Sequence, residues 1–357
     1  MRSRRQLSTV APRRMLLVKG HSAGIGDILR SSAAWRALKD RYPGVELHVV
    51  LISKDPGYVS DSLMAQHHLL ASYTVLPKTG KGLAQWQALA GALEELGRRV
   101  GADLIVDCEP HGMRSTTLVW RVAARLGVPT LGIAEFPTRA WFYTWASMST
   151  AAFARQRRLP DPMDYTDRDF VVLSALGIER EERPIELELV PAARELSAGL
   201  RSRLGVAADA PLLGLNIGCG TPDAKKKRPP LALISELVAR IQARRPAALV
   251  LTGAPFERDV NEAFTQLHRQ RTGLPIHDLA GATSLLQLPG VIEQCGLFLS
   301  TDSGPYHMAV AQRVPTLALF NRHDTACYHQ HAWVRCVQLV QDADVAPADE
   351  AAAALWA

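Results

Sequence analysis

From Met15 onward, short apolar runs rich in β-branched residues alternate with longer stretches in which apolar side chains return every three or four positions. The first pattern is that of a buried strand and the second that of a helix with one apolar face. Their alternation predicts βαβ units, and hence a parallel sheet covered by helices. Strands are expected at 15–19, 46–52, 73–76, 103–107 and 129–133, with helices at 27–41, 83–99 and 115–126. Gly127 closes the last helix, because glycine enters the left-handed conformation at no steric cost.

Between Ala134 and about Leu204 the chain becomes first aromatic, with Trp141, Phe142, Tyr143 and Trp145, and then charged and helical. The alternation then resumes, with strands expected at 212–216, 248–252, 297–300 and 315–320, each apolar enough to be buried on both faces. Leu231, Ile234, Val238 and Ile241 share one helical face that packs on this second sheet. Two doubly wound α/β halves are the simplest architecture, and 357 residues suffice for two cores at roughly 150 residues each. The expected division is a basic extension over 1–14, a Rossmann-like domain over 15–190, a second over 191–345 and an Ala-rich tail over 346–357.

A composition of 47% hydrophobic and 21% charged residues belongs to a folded chain and excludes a disordered one. The 41 basic and 35 acidic residues leave a charge of +6, which suits an anionic small molecule, lipid headgroup or phosphorylated glycan. It is too small an excess to argue for nucleic acid. Cys108, Cys219, Cys295, Cys327 and Cys336 are odd in number and contain no C-x-x-C pair, which fits a reducing compartment. No apolar run approaches the roughly 18 residues that span a bilayer. The opening MRSRRQLSTVAPRR lacks the apolar core of a secretory signal, so a cytoplasmic protein is expected.

The candidate chemistry lies where strands run into helices. Gly20-His21-Ser22-Ala23-Gly24-Ile25-Gly26-Asp27 follows the first strand, and its glycines let the backbone approach a ligand closely. The spacing would also suit a dinucleotide turn of short-chain dehydrogenases, but none of the seven tyrosines has Lys four residues later, which argues against hydride transfer. Asp27 reads equally as a helix N-cap or as a general base. In the second half, Lys225-Lys226-Lys227-Arg228 between a strand and a helix forms a candidate pyrophosphate clamp, with a solvated basic loop as the alternative. Glu257, after the Thr252-Gly253 strand end, could accept ribose hydroxyls or complement a helix dipole. The most specific stretch is Asp302-Ser303-Gly304-Pro305-Tyr306-His307-Met308-Ala309, where amides at a helix start could hold a phosphate. His323, Cys327, His329 and His331 could bind zinc, although a polar loop is the expected reading.

Taken in order, the G-D turn, the K-x-x-P loop, T-G-x-P-x-E, L-A-G-A-T-S-L and D-S-G-x-x-H-x-A resemble glycosyltransferase family 9, the ADP-heptose heptosyltransferases of lipopolysaccharide inner-core assembly. The likeness runs over roughly 15–324. It implies a GT-B fold, two Rossmann-like doubly wound domains facing a central cleft, with the acceptor on the first half and the nucleotide sugar on the second. Asp27 then matches the general base of an inverting transfer. Thr221, Lys226, Glu257, Asp302, Ser303, Gly304 and His307 match the donor site, with Lys225 or Lys227 able to replace Lys226. Gly26, with Arg114 and Ser115 of a loop resembling Q-G-x-x-K/R-S, falls on the acceptor side.

The implied partners are ADP-heptose or a similar nucleotide sugar and an anionic glycolipid acceptor, with peripheral contact at the cytoplasmic face of the inner membrane. No nucleic acid, cofactor or metal is expected. Ser32-Ala33, Arg228 and Asn321 depart from residues usual in the family, which leaves the sugar and the acceptor open. Two alternatives stand beside this reading: a non-catalytic nucleotide-sugar-binding protein of the same fold, and a transferase acting on a protein or another glycan.

Overall fold

The computed structural model describes residues 11–20, 24–54, 60–218 and 224–356. The chain forms two compact units, Met1–Arg183 and Pro184–Ala357, so the segment 184–190, expected with the first half, belongs to the second.

The first unit holds six parallel strands, β1 (Arg14–Lys19), β2 (Glu46–Ser53), β3 (Ser72–Pro77), β4 (Leu104–Asp107), β5 (Thr130–Ile133) and β6 (Trp145–Ser147), in the order β3-β2-β1-β4-β5-β6. Its helices are α1 (Ile25–Leu29), α2 (Ser32–Arg41), α3 (Ser60–Ala65), α4 (Gly82–Val100), α5 (Met113–Leu126), α6 (Thr150–Arg157) and α7 (Arg168–Leu173). The inner strands β2, β1, β4 and β5 are buried on both faces because helices cover both. On one side Leu89, Leu93 and Leu96 of α4 and Leu118, Val119 and Val122 of α5 close over Leu16, Val18, Val50 and Ile105.

The helix expected over 27–41 is interrupted. Ser31 N–H bonds back to Ile28 O at 3.0 Å and Ser32 Oγ donates to Leu29 O at 2.6 Å, a local pairing that competes with the regular helix ladder and divides α1 from α2.

The second unit repeats the plan with β7 (Leu212–Asn216), β8 (Ala248–Thr252), β9 (Ile276–Asp278), β10 (Leu297–Thr301), β11 (Thr316–Phe320) and β12 (Val334–Gln338), ordered β12-β11-β10-β7-β8-β9. Counted from its own first strand, this is the same 3-2-1-4-5-6 arrangement as in the first unit. Around it lie α8 (Pro191–Leu204), α9 (Ala224–Lys227), α10 (Leu231–Arg244), α11 (Arg258–Arg269), α12 (Leu288–Ile292), α13 (Gly304–Ala311) and α14 (Val345–Leu355). The end of the chain, expected as a tail, is the helix α14: Val345, Ala348 and Ala352 are buried in the core with Ile234, Val238, Leu317 and Leu319. Alanine's high helix propensity and small side chain allow that close approach. Among the described residues, no helix is long and apolar enough to cross a membrane.

Candidate active site

In an open parallel sheet, ligands bind beyond the carboxyl ends of the strands where the order reverses direction. In the first unit that point lies between the adjacent strands β1 and β4. Gly20, just past β1, donates its N–H to Glu109 Oε1 at 2.6 Å, and a Cβ there would stand 3.2 Å from the Glu109 carboxyl carbon. Lys19, the last residue of β1, pairs with Asp169 of α7 at 2.6 Å and donates to Ser31 Oγ at 2.8 Å. Burial alone would lower the Lys19 pKa. Attraction to Asp169, aided by Cys108 and Glu109, turns the net shift upward and keeps the ammonium charged.

Beneath this edge, Arg139 is fully buried and braces the β4 turn. It donates to Thr116 Oγ1 at 2.9 Å, to Glu109 O at 2.8 Å and to Pro110 O, and lies 3.5 Å from Asp107 Oδ2. Tyr143 OH donates to the same Asp107 carboxylate at 2.6 Å. Burial pushes the Asp107 carboxyl up to about 6, against the pull of Tyr143, the Glu109 amide and Arg139.

Asp27 is exposed in α1, whose N-cap is Gly24, so its carboxylate does not serve as the cap. It lines a cavity of about 1000 Å³ together with Lys19, Glu109, His111, Arg155 and Arg168. Gly26 precedes it in the same helical turn. Arg114 and Ser115 lie at the start of α5 and line a second cavity of about 120 Å³, which shares Glu109 and His111 with the first. Arg114 reaches Gln85 Oε1 at 3.4 Å, while the buried Ser115 Oγ has no hydrogen-bond partner among the described residues.

In the second unit the order reverses between β7 and β10. Asn216, at the end of β7, accepts a hydrogen bond from Ser303 Oγ at 3.0 Å and donates to Thr252 Oγ1 at 3.3 Å, which ties the ends of β7, β8 and β10 together. Ser303 is the N-cap of α13, but its hydroxyl makes no capping bond. The first-turn amides of α13 therefore face the strand edge without that intramolecular acceptor. Glu257 is buried, and its Oε2 accepts the Ala254 N–H at 2.7 Å. Gly218 is required beside it, because a Cβ at that position would fall 1.6 Å from Glu257 Oε1.

Lys227 Nζ pairs with Asp302 Oδ2 at 2.8 Å, so Lys227 of the basic run reaches the Asp302–His307 block. The exposed Lys226 joins the same edge through its carbonyl, which accepts from Asn321 Nδ2. Thr221 lies outside the described residues. His307 is buried with its Nδ1 2.9 Å from His329 Nε2, and the His329 N–H donates to Tyr306 OH at 2.9 Å.

Of the four candidate zinc ligands, His323 meets Tyr328, Cys327 Sγ meets Asp324, His329 meets His307, and His331 stacks on Trp333 at 4.5 Å and faces His329 at 6.2 Å. Among the described residues, no three His, Cys, Asp or Glu side chains are grouped to hold a metal.

Lys19, Glu109, Asp169 and Asn216 stand in these candidate sites although motif spacing does not single them out, and the sequence offers His329 only as a candidate zinc ligand. Lys19 and Glu109 could have been suspected from their places at strand ends. Asp169 meets Lys19 only because the fold closes a separation of 150 residues.

Two Rossmann-like units of identical strand order, with polar groups collected beyond both reversal points, define the fold as GT-B. The chain belongs to glycosyltransferase family 9 (heptosyltransferase), whose model matches residues 137–344, more than half of its length. It is 33% identical over 90 residues to the lipopolysaccharide core heptosyltransferase OpsX of Haemophilus influenzae, covering 24% of each chain. To the lipopolysaccharide heptosyltransferase 3 of Escherichia coli it is 32% identical over 90 residues, covering 25% of this chain and 26% of the relative. The matched segments thus span about a quarter of these curated relatives. A solved family 9 structure from Veillonella parvula superposes with a TM-score of 0.67 at 18% identity, covering 91% of this chain and 86% of that one. The E. coli ADP-heptose lipopolysaccharide heptosyltransferase II gives 0.64 at 18%, covering 96% and 98%. The E. coli heptosyltransferase WaaC, solved with ADP, gives 0.59 at 17%, covering 91% and 93%.

Proposed function

We propose that the protein is an inverting glycosyltransferase that moves a heptose or related sugar from an ADP-sugar to a hydroxyl of a lipopolysaccharide inner-core acceptor. The observation that carries this reading is the cluster at the second reversal point. Gly218, Glu257, the Lys227–Asp302 pair, Ser303, His307 and the start of α13 gather at one strand edge, as a nucleoside diphosphate sugar requires. Family membership favours the same donor class, and the related WaaC has been solved with ADP.

Glu257 would accept from the ribose, while the lysine run and the α13 amides would stabilise the diphosphate. Asp27 removes the proton of an acceptor hydroxyl as its oxygen bonds to the anomeric carbon and the bond to ADP breaks on the opposite face. The configuration inverts in that single displacement. Negative charge arriving on ADP is met by Lys226 or Lys227 and the helix-start amides, a preorganised electrostatic contribution. Gly26, Arg114 and Ser115 serve the acceptor, and an anionic glycolipid would hold the protein peripherally at the cytoplasmic face of the inner membrane.

The test is Asp27→Ala, assayed with ADP-heptose and a lipid acceptor, with products identified by mass. ADP affinity should persist while transfer falls about 10²–10⁴-fold. An unchanged rate would remove Asp27 from its role, and no transfer by the unmodified protein from any ADP-sugar would favour the non-catalytic binding reading.

A further inference from the structure

The outer face of the first unit carries large apolar side chains that the fold leaves in water. Trp141 is 80% exposed, Leu83 68%, Trp120 50% and Phe136 38%. They belong to neighbouring elements. Leu83 lies in the first turn of α4, one turn before Trp86. Arg121 of α5 lies over the Trp86 ring at 5.3 Å. Trp120, the next residue on α5, meets Phe142 edge to face at 5.8 Å, and Phe142 ends the 3-10 helix Pro137–Phe142 that carries Trp141. Burying none of these rings fully costs the protein apolar surface in water, and monomeric proteins rarely expose such a group without a use for it.

The charge around them is mostly of one sign, although Glu135 precedes Phe136 and Glu94 and Glu95 lie farther along α4. The segments 77–93, 110–134 and 136–160, which supply this face, contain no Asp or Glu at all. They contribute Lys78, Lys81, Arg114, Arg121 and Arg125 from the strand end, α4 and α5. Of these, Arg125 lies 3.8 Å from a carboxylate, Glu94. Aromatic side chains among cations that outnumber the nearby carboxylates complement a surface that is apolar beneath and anionic above. Tryptophan favours the level of lipid headgroups, where its ring is buried and its N–H stays hydrated, and lysine and arginine near such a surface add attraction to acidic lipids.

We propose that this face, formed by α4, α5 and the 3-10 helix Pro137–Phe142, docks on an anionic lipid bilayer, with Leu83, Trp120, Phe136 and Trp141 entering the headgroup layer. The second cavity, lined by Lys78, Trp86, Arg114 and Ser115, lies between the same two helices. Docking would therefore present that cavity to lipid-borne molecules, and this functional sense rests on the proposed glycolipid acceptor. The docking itself does not.

The experiment is co-sedimentation of the full chain with vesicles of equal parts phosphatidylcholine and phosphatidylglycerol, and with vesicles of phosphatidylcholine alone. Binding is expected to the acidic vesicles and to fall at least about ten-fold in Trp120→Ser/Trp141→Ser and in Lys81→Glu/Arg121→Glu. Unchanged thermal melting and ADP affinity in the variants exclude misfolding as the cause; if the tryptophan variant melts early, Trp141→Ser alone replaces it. Vesicle binding that survives both variants overturns the proposal. So does an unmodified protein that ignores acidic vesicles but self-associates in sedimentation through Trp141, which would make the face an interface between copies. Transfer to a water-soluble, delipidated acceptor should be the same in the tryptophan variant as in the unmodified protein. Vesicle binding that follows the expected pattern while no ADP-sugar is ever turned over would defeat the enzymatic reading and leave the docking intact.

Discussion

Arg139 and Asp107 have no exposed side-chain surface, and the strand edge above them depends on their pairing. Asp107→Ala would strand a buried guanidinium and is expected to cost about 3–5 kcal/mol in urea unfolding, because a desolvated charge loses its partner. The carboxyl itself adds a pH dependence. Its folded pKa of about 6 lies above the 3.8 of an unperturbed aspartate, so the folded state holds the proton more tightly. The stability it contributes is therefore fully present below pH 4 and is lost as pH rises to about 6. Asp107→Asn should flatten that part of the stability–pH curve, and an unchanged slope would assign it elsewhere. His329 is a second residue whose meaning comes from a neighbour. Its ring holds His307 at 2.9 Å, so His329→Phe should weaken ADP-sugar binding roughly five-fold, the worth of one hydrogen bond, with His329→Gln recovering part of it in calorimetry. The sequence marks His307 for the donor site and offers His329 only as a candidate metal ligand, because the bond between them closes a gap that no helical or strand period spans.

At the level of elements, the strands of both halves were legible because a strand buried on two faces is apolar throughout, and β7 and β8 fall on the expected residues. β6, β9 and β12 were not legible. They are the outer strands that end or follow each sheet, are partly exposed, and carry mixed residues such as Trp145, His277 and Arg335. The divided α1–α2 helix escaped for another reason: its apolar periodicity is continuous, and the bonds of Ser31 N–H to Ile28 O and of Ser32 Oγ to Leu29 O break it. Gly218 shows how an element's end is shaped by a contact far along the chain. Gly218→Ala would push the Glu257 carboxylate from its place, and loss of the Ala254 bond should cost about 1 kcal/mol in a thermal melt along with weaker ADP binding. Unaltered ADP affinity in that variant would separate Glu257 from nucleotide recognition.

On the scale of the molecule, each unit has its own sheet, its own covering helices and its own buried clusters. A fragment covering 184–357 is accordingly expected to unfold cooperatively and to bind ADP within about three-fold of the full chain, since all the proposed donor residues lie in it; fluorescence titration checks both points. A fragment that folds but does not bind would show that the first unit supplies part of the donor site. What the sequence determined by itself was the kind of fold, two parallel α/β halves, and the positions of Asp27, Glu257 and the Asp302–His307 block, because burial periodicity and glycine turns are local properties. Which groups meet was decided only by tertiary structure. Lys19 with Asp169, Lys227 with Asp302, Asp107 with Arg139 and the exposed aromatic face of α4 and α5 all depend on strand order and helix packing. A linear pattern records whether a residue is buried, but not what it is buried against.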